Sequence, residues 1–192
     1  MTLKVGFVGL GRMGLPMSYK LLNAGFELIV YNRSQEKVNQ ICDSGARKAN
    51  SLADLTREAD VVLACLPDID TVESLFLGPH GIINISKPGQ ILVDHSTVGI
   101  KTSKACAEAA LRQGAMFLDA PISGGTERAQ SGDLTIMAGG LKEAYDSVVQ
   151  VFNAMGTTVR HIGPTGTGTT VKLINQLLVG IHSLAAAEAI LM

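Results

Sequence analysis

Leu3 to Val8 is a short apolar run, and three glycines follow it in the pattern Gly9-x-Gly11-x-x-Gly14. Met13 to Ala24 then places Met17, Leu21 and Leu22 at helical spacing. Few folds accept a buried strand that turns at once into a helix through glycines so placed. The pattern opens a βαβ unit of a parallel sheet. Gly9 allows the tight turn, Gly11 lets a pyrophosphate approach the backbone, and Gly14 lets helix and strand pack closely. The helix start offers unpaired N–H groups and the positive end of its dipole. A plain tight turn would need one glycine only. Gly9, Leu10, Gly11, Arg12, Met13 and Gly14 are therefore expected to hold the phosphates of a dinucleotide.

The same unit recurs along the chain. Gly25, Gly45 and Gly114 each follow a helical stretch and precede an apolar one, as left-handed helix caps do. Strand cores are expected at Glu27 to Tyr31, Asp60 to Leu66, Gln90 to Val93 and Ala115 to Leu118. Later strands fall at Leu134 to Ala138 and Thr157 to Ile162, around a helix from Leu141 to Met155. Strands alternating with helices predict an α/β fold: a Rossmann-type, doubly wound, mostly parallel sheet over residues 1–163. Gly163 to Thr169 reads as a loop, and from Thr170 the chain reads as one long helix. That helix has one apolar stripe through Val171, Ile174, Leu178 and Ile181 and another through Leu173, Leu177 and Leu184. It expects partners on two sides.

Composition narrows the function. Hydrophobic residues make up 46% and charged residues 17% of 192, enough for a sizeable core. Sixteen basic side chains against 17 acidic ones leave a net charge of −1, with no basic block for nucleic acid or an anionic membrane. Cys42, Cys65 and Cys106 are odd in number and far apart, which predicts reduced thiols in a cytoplasmic setting and no metal site. Met1-Thr2-Leu3-Lys4 leads straight into the first strand, so no signal or transit segment is expected. The longest uncharged helical stretch, Leu173 to Ala187, contains Asn175, Gln176 and His182 and falls short of the ~18–20 apolar residues of a membrane span.

The second strand bears on which dinucleotide binds. An NAD site usually places an acid there to accept the ribose hydroxyls. Here Leu28-Ile29-Val30-Tyr31 ends in Asn32-Arg33-Ser34. The planar fork of Arg33 suits a 2′-phosphate, with Asn32 and Ser34 as added donors, so NADP is favoured over NAD. The bland reading is that Arg33 is a solvated loop residue and Ser34 caps the next helix. Leu66-Pro67 and Asp94-His95-Ser96-Thr97 end two further strands, where open parallel sheets bind ligands. Ser96 or Thr97 could touch the ribose or the nicotinamide. His95 reads as a strand-end histidine in ordinary hydrogen bonds.

Asp119-Ala-Pro-Ile-Ser-Gly-Gly125 also follows a strand. The Ser123 hydroxyl and the bare amides of Gly124 and Gly125 suit a carboxylate, and a structural turn explains the glycines equally well. Lys172, Asn175 and Gln176 share one helix face. Partial burial would lower the lysine pKa toward operating pH, as a general acid needs. The alternative is a lysine snorkelling from a buried helix.

With these residues in view, the chain resembles the β-hydroxyacid dehydrogenase family. The likeness runs through Gly9-Leu-Gly-Arg-Met-Gly-Leu-Pro-Met17, Leu66-Pro67, Asp119-Ala-Pro-Ile-Ser-Gly-Gly125 and Gly166-x-Gly168-x-x-x-Lys172-Leu-x-Asn175. The resemblance implies that Leu66, Pro67, Thr71 and Thr97 contact the cofactor and that Ser123 and Gly124 bind the substrate carboxylate. It implies that Lys172 donates the proton as hydride arrives, with Asn175 as its neighbour. Family members continue into an all-helical second domain, so residues 164–192 are expected to begin an interdomain helix of a truncated domain, through which copies would associate. A 6-phosphogluconate dehydrogenase-like enzyme would call for more basic contacts than this chain shows. A non-catalytic dinucleotide-binding module is the alternative of another class. Imine reductases usually replace this lysine.

Overall fold

The computed structural model describes residues 3–192. Its strands are β1 (Lys4–Val8), β2 (Glu27–Tyr31), β3 (Arg47–Lys48), β4 (Val61–Ala64), β5 (Ile91–Asp94), β6 (Met116–Asp119), β7 (Ile122–Ser123), β8 (Leu134–Gly140) and β9 (Gly156–Gly163). Its helices are α1 (Gly14–Asn23), α2 (Gln35–Cys42), α3 (Leu52–Glu58), α4 (Ile69–Leu77), α5 (Ile100–Arg112), α6 (Gly125–Ser131), α7 (Lys142–Asn153) and α8 (Thr167–Leu191). A 3-10 turn spans Ile82–Ile85.

All strands join one sheet. The first six run parallel in the order β3-β2-β1-β4-β5-β6. β8 then pairs antiparallel with β6 and β7, and β9 runs parallel to β8. The period of two along each strand sorts its residues onto two cores. Val5, Phe7, Val61, Leu63 and Val93 pack with Met17 and Leu21 of α1, Ile41 of α2 and Val148 of α7. Ile29, Val62, Ala64, Leu92 and Phe117 pack with Leu55 of α3, Phe76 of α4 and Cys106 of α5. Helices on both faces cover the parallel part, as the alternation of elements predicts.

The expected elements appear with shifted ends. Gly25, Gly45 and Gly114 take left-handed φ values behind α1, α2 and α5. Three differences matter. The motif after β6, expected as a loop, holds the strand β7 and passes directly into α6. The short β3, absent from the sequence reading, adds an edge strand. α8 starts at Thr167 and not at Thr170, because a buried carboxylate bonds the amides of its first turn. Over its 25 residues α8 contains an 18-residue window of mean hydropathy 1.4, so by length and composition it reaches what a membrane span needs, where Leu173 to Ala187 alone fell short.

Candidate dinucleotide and substrate site

The parallel strands end on one edge of the sheet, and the loops leaving that edge carry the candidate residues. β1 lies between β2 and β4, so the chain crosses to the other side of the sheet there and leaves a crevice at the carboxyl ends. The glycine loop forms its floor. Gly9 has φ +96°, and a Cβ on it would lie 2.4 Å from the Cys65 carbonyl oxygen. A Cβ on Gly14 would lie 1.9 Å from the Gly9 carbonyl oxygen. The fold's own packing demands those two glycines. At Gly11 a Cβ would meet nothing within 4 Å. Packing gives no reason for glycine there, and the open space fits a molecule that approaches the backbone. α1 has no side-chain cap and no acid in its first turn, so its positive end is left for an anion.

A cavity of about 830 Å³ opens over this floor. It is lined by Gly9, Gly11, Arg12, Met13 and Gly14, by Asn32 and Arg33 after β2, and by Leu66, Pro67 and Thr71 after β4. Leu10 differs from its loop neighbours, since its side chain is buried in the core. Its N–H donates to Asn32 Oδ1 at 3.0 Å, while Asn32 Nδ2 donates to the Ser34 carbonyl at 3.2 Å. The Asn32 amide, expected as a phosphate donor, is thus engaged within the protein and ties the second strand to the glycine loop. Ser34 precedes α2 without capping it, and its hydroxyl and the Arg33 guanidinium are exposed. The Thr71 N–H caps α4 by donating to Asp68 Oδ1 at 2.7 Å. Hydrogen bonds from the Thr71 side chain and N–H, and more weakly the charge of Arg33, hold the Asp68 carboxyl below its ordinary range.

Ser96 is buried, and its Oγ accepts the Leu66 N–H at 2.9 Å. That bond shapes the Leu66-Pro67 turn, whereas Thr97 is exposed at the same edge. His95 Nδ1 lies 2.7 Å from the Ala120 carbonyl oxygen, so Nδ1–H donates and the buried Nε2 has no partner. Burial pushes this imidazole down to about 4, which keeps it neutral. The neighbouring Asp94 carboxyl is pushed up to about 6, again chiefly by burial.

The second half of the site lies beyond β6. Ser123 pairs with Thr135 of β8 and is half-buried. Gly124 (φ +138°) and Gly125 (φ +70°) are exposed and occupy backbone that other residues rarely adopt, so the turn itself accounts for both glycines. Lys172 is only 7% exposed on α8. Burial lowers its pKa, and among the described residues no carboxylate lies within 4.0 Å of its ammonium. Asn175, one turn on, is half-buried and donates to Gln176 Oε1 at 3.3 Å, while Gln176 is exposed. Sequence reasoning gave no role to Asp119, Gly139 or Gly168. Asp119 stands at the head of a quoted motif, but nothing in the sequence names its partners, the first-turn amides of α8.

Residues 4–163 match the family described as the NAD binding domain of 6-phosphogluconate dehydrogenase. The chain belongs to this family of dinucleotide-binding domains, which its β-hydroxyacid dehydrogenase relatives share. An oxidoreductase from Synechocystis is 40% identical over 189 residues, covering 97% of this chain and 65% of the relative. The mitochondrial 3-hydroxyisobutyrate dehydrogenase of Bos taurus is 38% identical over 186 residues, covering 96% of this chain and 55% of the enzyme. Among solved structures, Psf3 in complex with NADP+ and 2-OPP superposes with a TM-score of 0.92 at 33% identity, covering 97% of this chain and 66% of that one. The chain therefore spans a little over half to about two thirds of these relatives' lengths. It is an NAD(P)-binding domain similar to that of 3-hydroxyisobutyrate dehydrogenases.

Proposed function

We propose that this chain is the cofactor-binding part of an NADP-preferring oxidoreductase that interconverts a small β-hydroxyacid and its semialdehyde or keto form. The observation that carries the reading is Lys172. Its ammonium is buried with no counter-ion among the described residues, on a helix bonded to the carboxyl end of β6, the sheet edge where the dinucleotide cavity opens. Bound in that cavity, the nicotinamide supplies hydride chemistry. The protein's residues do the remainder. Gly9 to Gly14 cradle the pyrophosphate, Arg33 and Ser34 meet the 2′-phosphate, and Leu66, Pro67, Thr71 and Thr97 flank the cofactor. Ser123, Gly124 and Gly125 take the substrate carboxylate, and Asn175 orients the substrate. Lys172 Nζ gives a proton to the carbonyl oxygen in reduction and takes it from the hydroxyl in oxidation; its lowered pKa suits both directions.

The substrate class draws on relatives named 3-hydroxyisobutyrate dehydrogenase and 2-(hydroxymethyl)glutarate dehydrogenase, the latter from Eubacterium barkeri. The absence of an acid after β2, the exposed Arg33 and the NADP+ complex of Psf3 support NADP. Three unpaired thiols fit a reducing compartment such as the cytoplasm.

Fluorescence titration with NADPH and NADH tests the cofactor. NADPH is expected to bind tighter, and Arg33→Ala to weaken NADPH by roughly 10- to 100-fold, the worth of a charged hydrogen bond, with NADH nearly unchanged. Equal affinities, indifferent to Arg33→Ala, would remove the NADP preference. Turnover tests the chemistry: Lys172→Met is expected to cut kcat by about 10²–10⁴-fold while cofactor affinity holds. Intact binding with no hydride transfer from any short hydroxyacid would leave a dinucleotide-binding module.

A further inference from the structure

At the start of α8, one turn before Lys172, lies a cluster that neither ligand site uses. Asp119 ends β6 and is 1% exposed. Its Oδ1 accepts the Gly166 N–H at 2.7 Å and its Oδ2 accepts the Thr169 N–H at 2.8 Å. The socket around it is cut in bare backbone. A Cβ on Gly139 would sit 2.6 Å from Asp119 Oδ1, and one on Gly168 would sit 2.2 Å from the Met137 carbonyl oxygen. The Thr169 hydroxyl also meets that of Ser103 on α5 at 3.0 Å. The hold of α8 on the sheet lies at its start, where Gly168, Thr169 and Lys172 are its buried residues.

We propose that Asp119 is a positioning residue: by holding the Gly166 and Thr169 amides it fixes the first turn of α8 and so seats the Lys172 ammonium against the substrate loop. Four residues after Asp119 the same chain reaches Ser123, so one motif aligns the anion loop and the proton donor. This rests on the reading of Lys172 as acid and base. Asp119 acts through the backbone and not by pairing with the ammonium, since no carboxylate among the described residues lies within 4.0 Å of it. Ionisable groups on the elements around this turn include Asp94, in register with Asp119 on β5, Lys104, which lies against Gly166, and His161 on β9, whose Nε2 lies 2.8 Å from the Gly140 carbonyl oxygen.

The test is an NMR titration of Lys172 in the full chain, with lysines ¹³C-methylated and the signal assigned through Lys172→Arg. Two effects of Asp119→Asn oppose each other in sign. Removing a buried negative charge alone lowers a lysine pKa. Releasing the turn lets the ammonium reach water and raises it toward the ordinary lysine value. The expected result is a Lys172 pKa that rises, with faster exchange of the Gly166 and Thr169 amides. Gly168→Ala keeps the carboxylate but forces the turn off the Met137 carbonyl, and it is expected to move Lys172 the same way. It decides the matter if Asp119→Asn does not fold. A Lys172 pKa that stays put or falls overturns the proposal. The titration reports where the amine sits whether or not it transfers protons, so an active Lys172→Met enzyme would sink the acid–base reading and leave this result standing.

Discussion

Asp94 and His95 are adjacent, buried and shifted in opposite directions. Asp94 has its folded pKa raised to about 6 against an unfolded value of 3.8, so the fold favours its neutral form. Stability from this group is full below pH 3.8 and is lost as pH rises toward 6. His95 has its folded pKa lowered to about 4 against 6.5, so its contribution is lost as pH falls from 6.5 toward 4. Each shift is worth about 3 kcal/mol and the windows overlap, so the two nearly cancel. The wild type should therefore show a flat stability profile across this range as far as these residues are concerned. Asp94→Asn removes one side of the balance and should make stability climb between pH 4 and pH 6.5, by about 3 kcal/mol in urea unfolding. A variant profile parallel to that of the wild type would mean the two shifts are not what balances this strand end.

At the scale of elements, the glycine loop allows packing and ligand demands to be separated. Gly14→Ala places a methyl on the Gly9 carbonyl, and the turn must shift. It should cost about 1–3 kcal/mol in thermal unfolding and weaken dinucleotide binding as well. Gly11→Ala meets nothing in the protein, so stability should stay within about 0.5 kcal/mol of wild type. Its dinucleotide affinity should still fall, by roughly tenfold or more, because the new methyl stands where the pyrophosphate meets backbone. Wild-type affinity in Gly11→Ala would place the phosphates elsewhere. This loop was legible in the sequence because the requirement is local, with strand, turn and helix contiguous and each glycine at a fixed offset. The burial of Lys172 was legible for a similar reason, since the residue is a charge on an otherwise apolar helix. The seat of Asp119 was not, because its amide partners lie 47 and 50 residues away. Nor was the bond of Asn32 to the Leu10 N–H, which ties the second strand to the glycine loop. The start of α8 was misplaced on the same ground, since Gly166 to Thr169 has loop composition and becomes helical only where a distant carboxylate receives its amides.

For the molecule as a whole, the consequential surface is α8. After Lys172 it runs clear of the α/β domain, with Leu177 62%, Leu184 63% and Ile190 84% exposed. A helix with two exposed apolar stripes does not rest in water without a cover. Fully burying one leucine side chain is worth about 1.5–3 kcal/mol, so a few per copy suffice to hold two helices together. The 192-residue polypeptide is therefore expected to self-associate through α8 in a concentration-dependent way, visible by sedimentation velocity. Leu177→Glu with Leu184→Glu puts charge on that face and should weaken association at least about a hundredfold. The dinucleotide cavity is built by loops after β1, β2 and β4 and contains no residue of α8, so NADPH affinity should be unchanged in the same variant. Monomers at high concentration whose distal α8 amides nonetheless resist hydrogen exchange would rule out this use of the helix. Coupled loss of association and cofactor binding would instead show that the far end of α8 reaches the cavity through the partner copy.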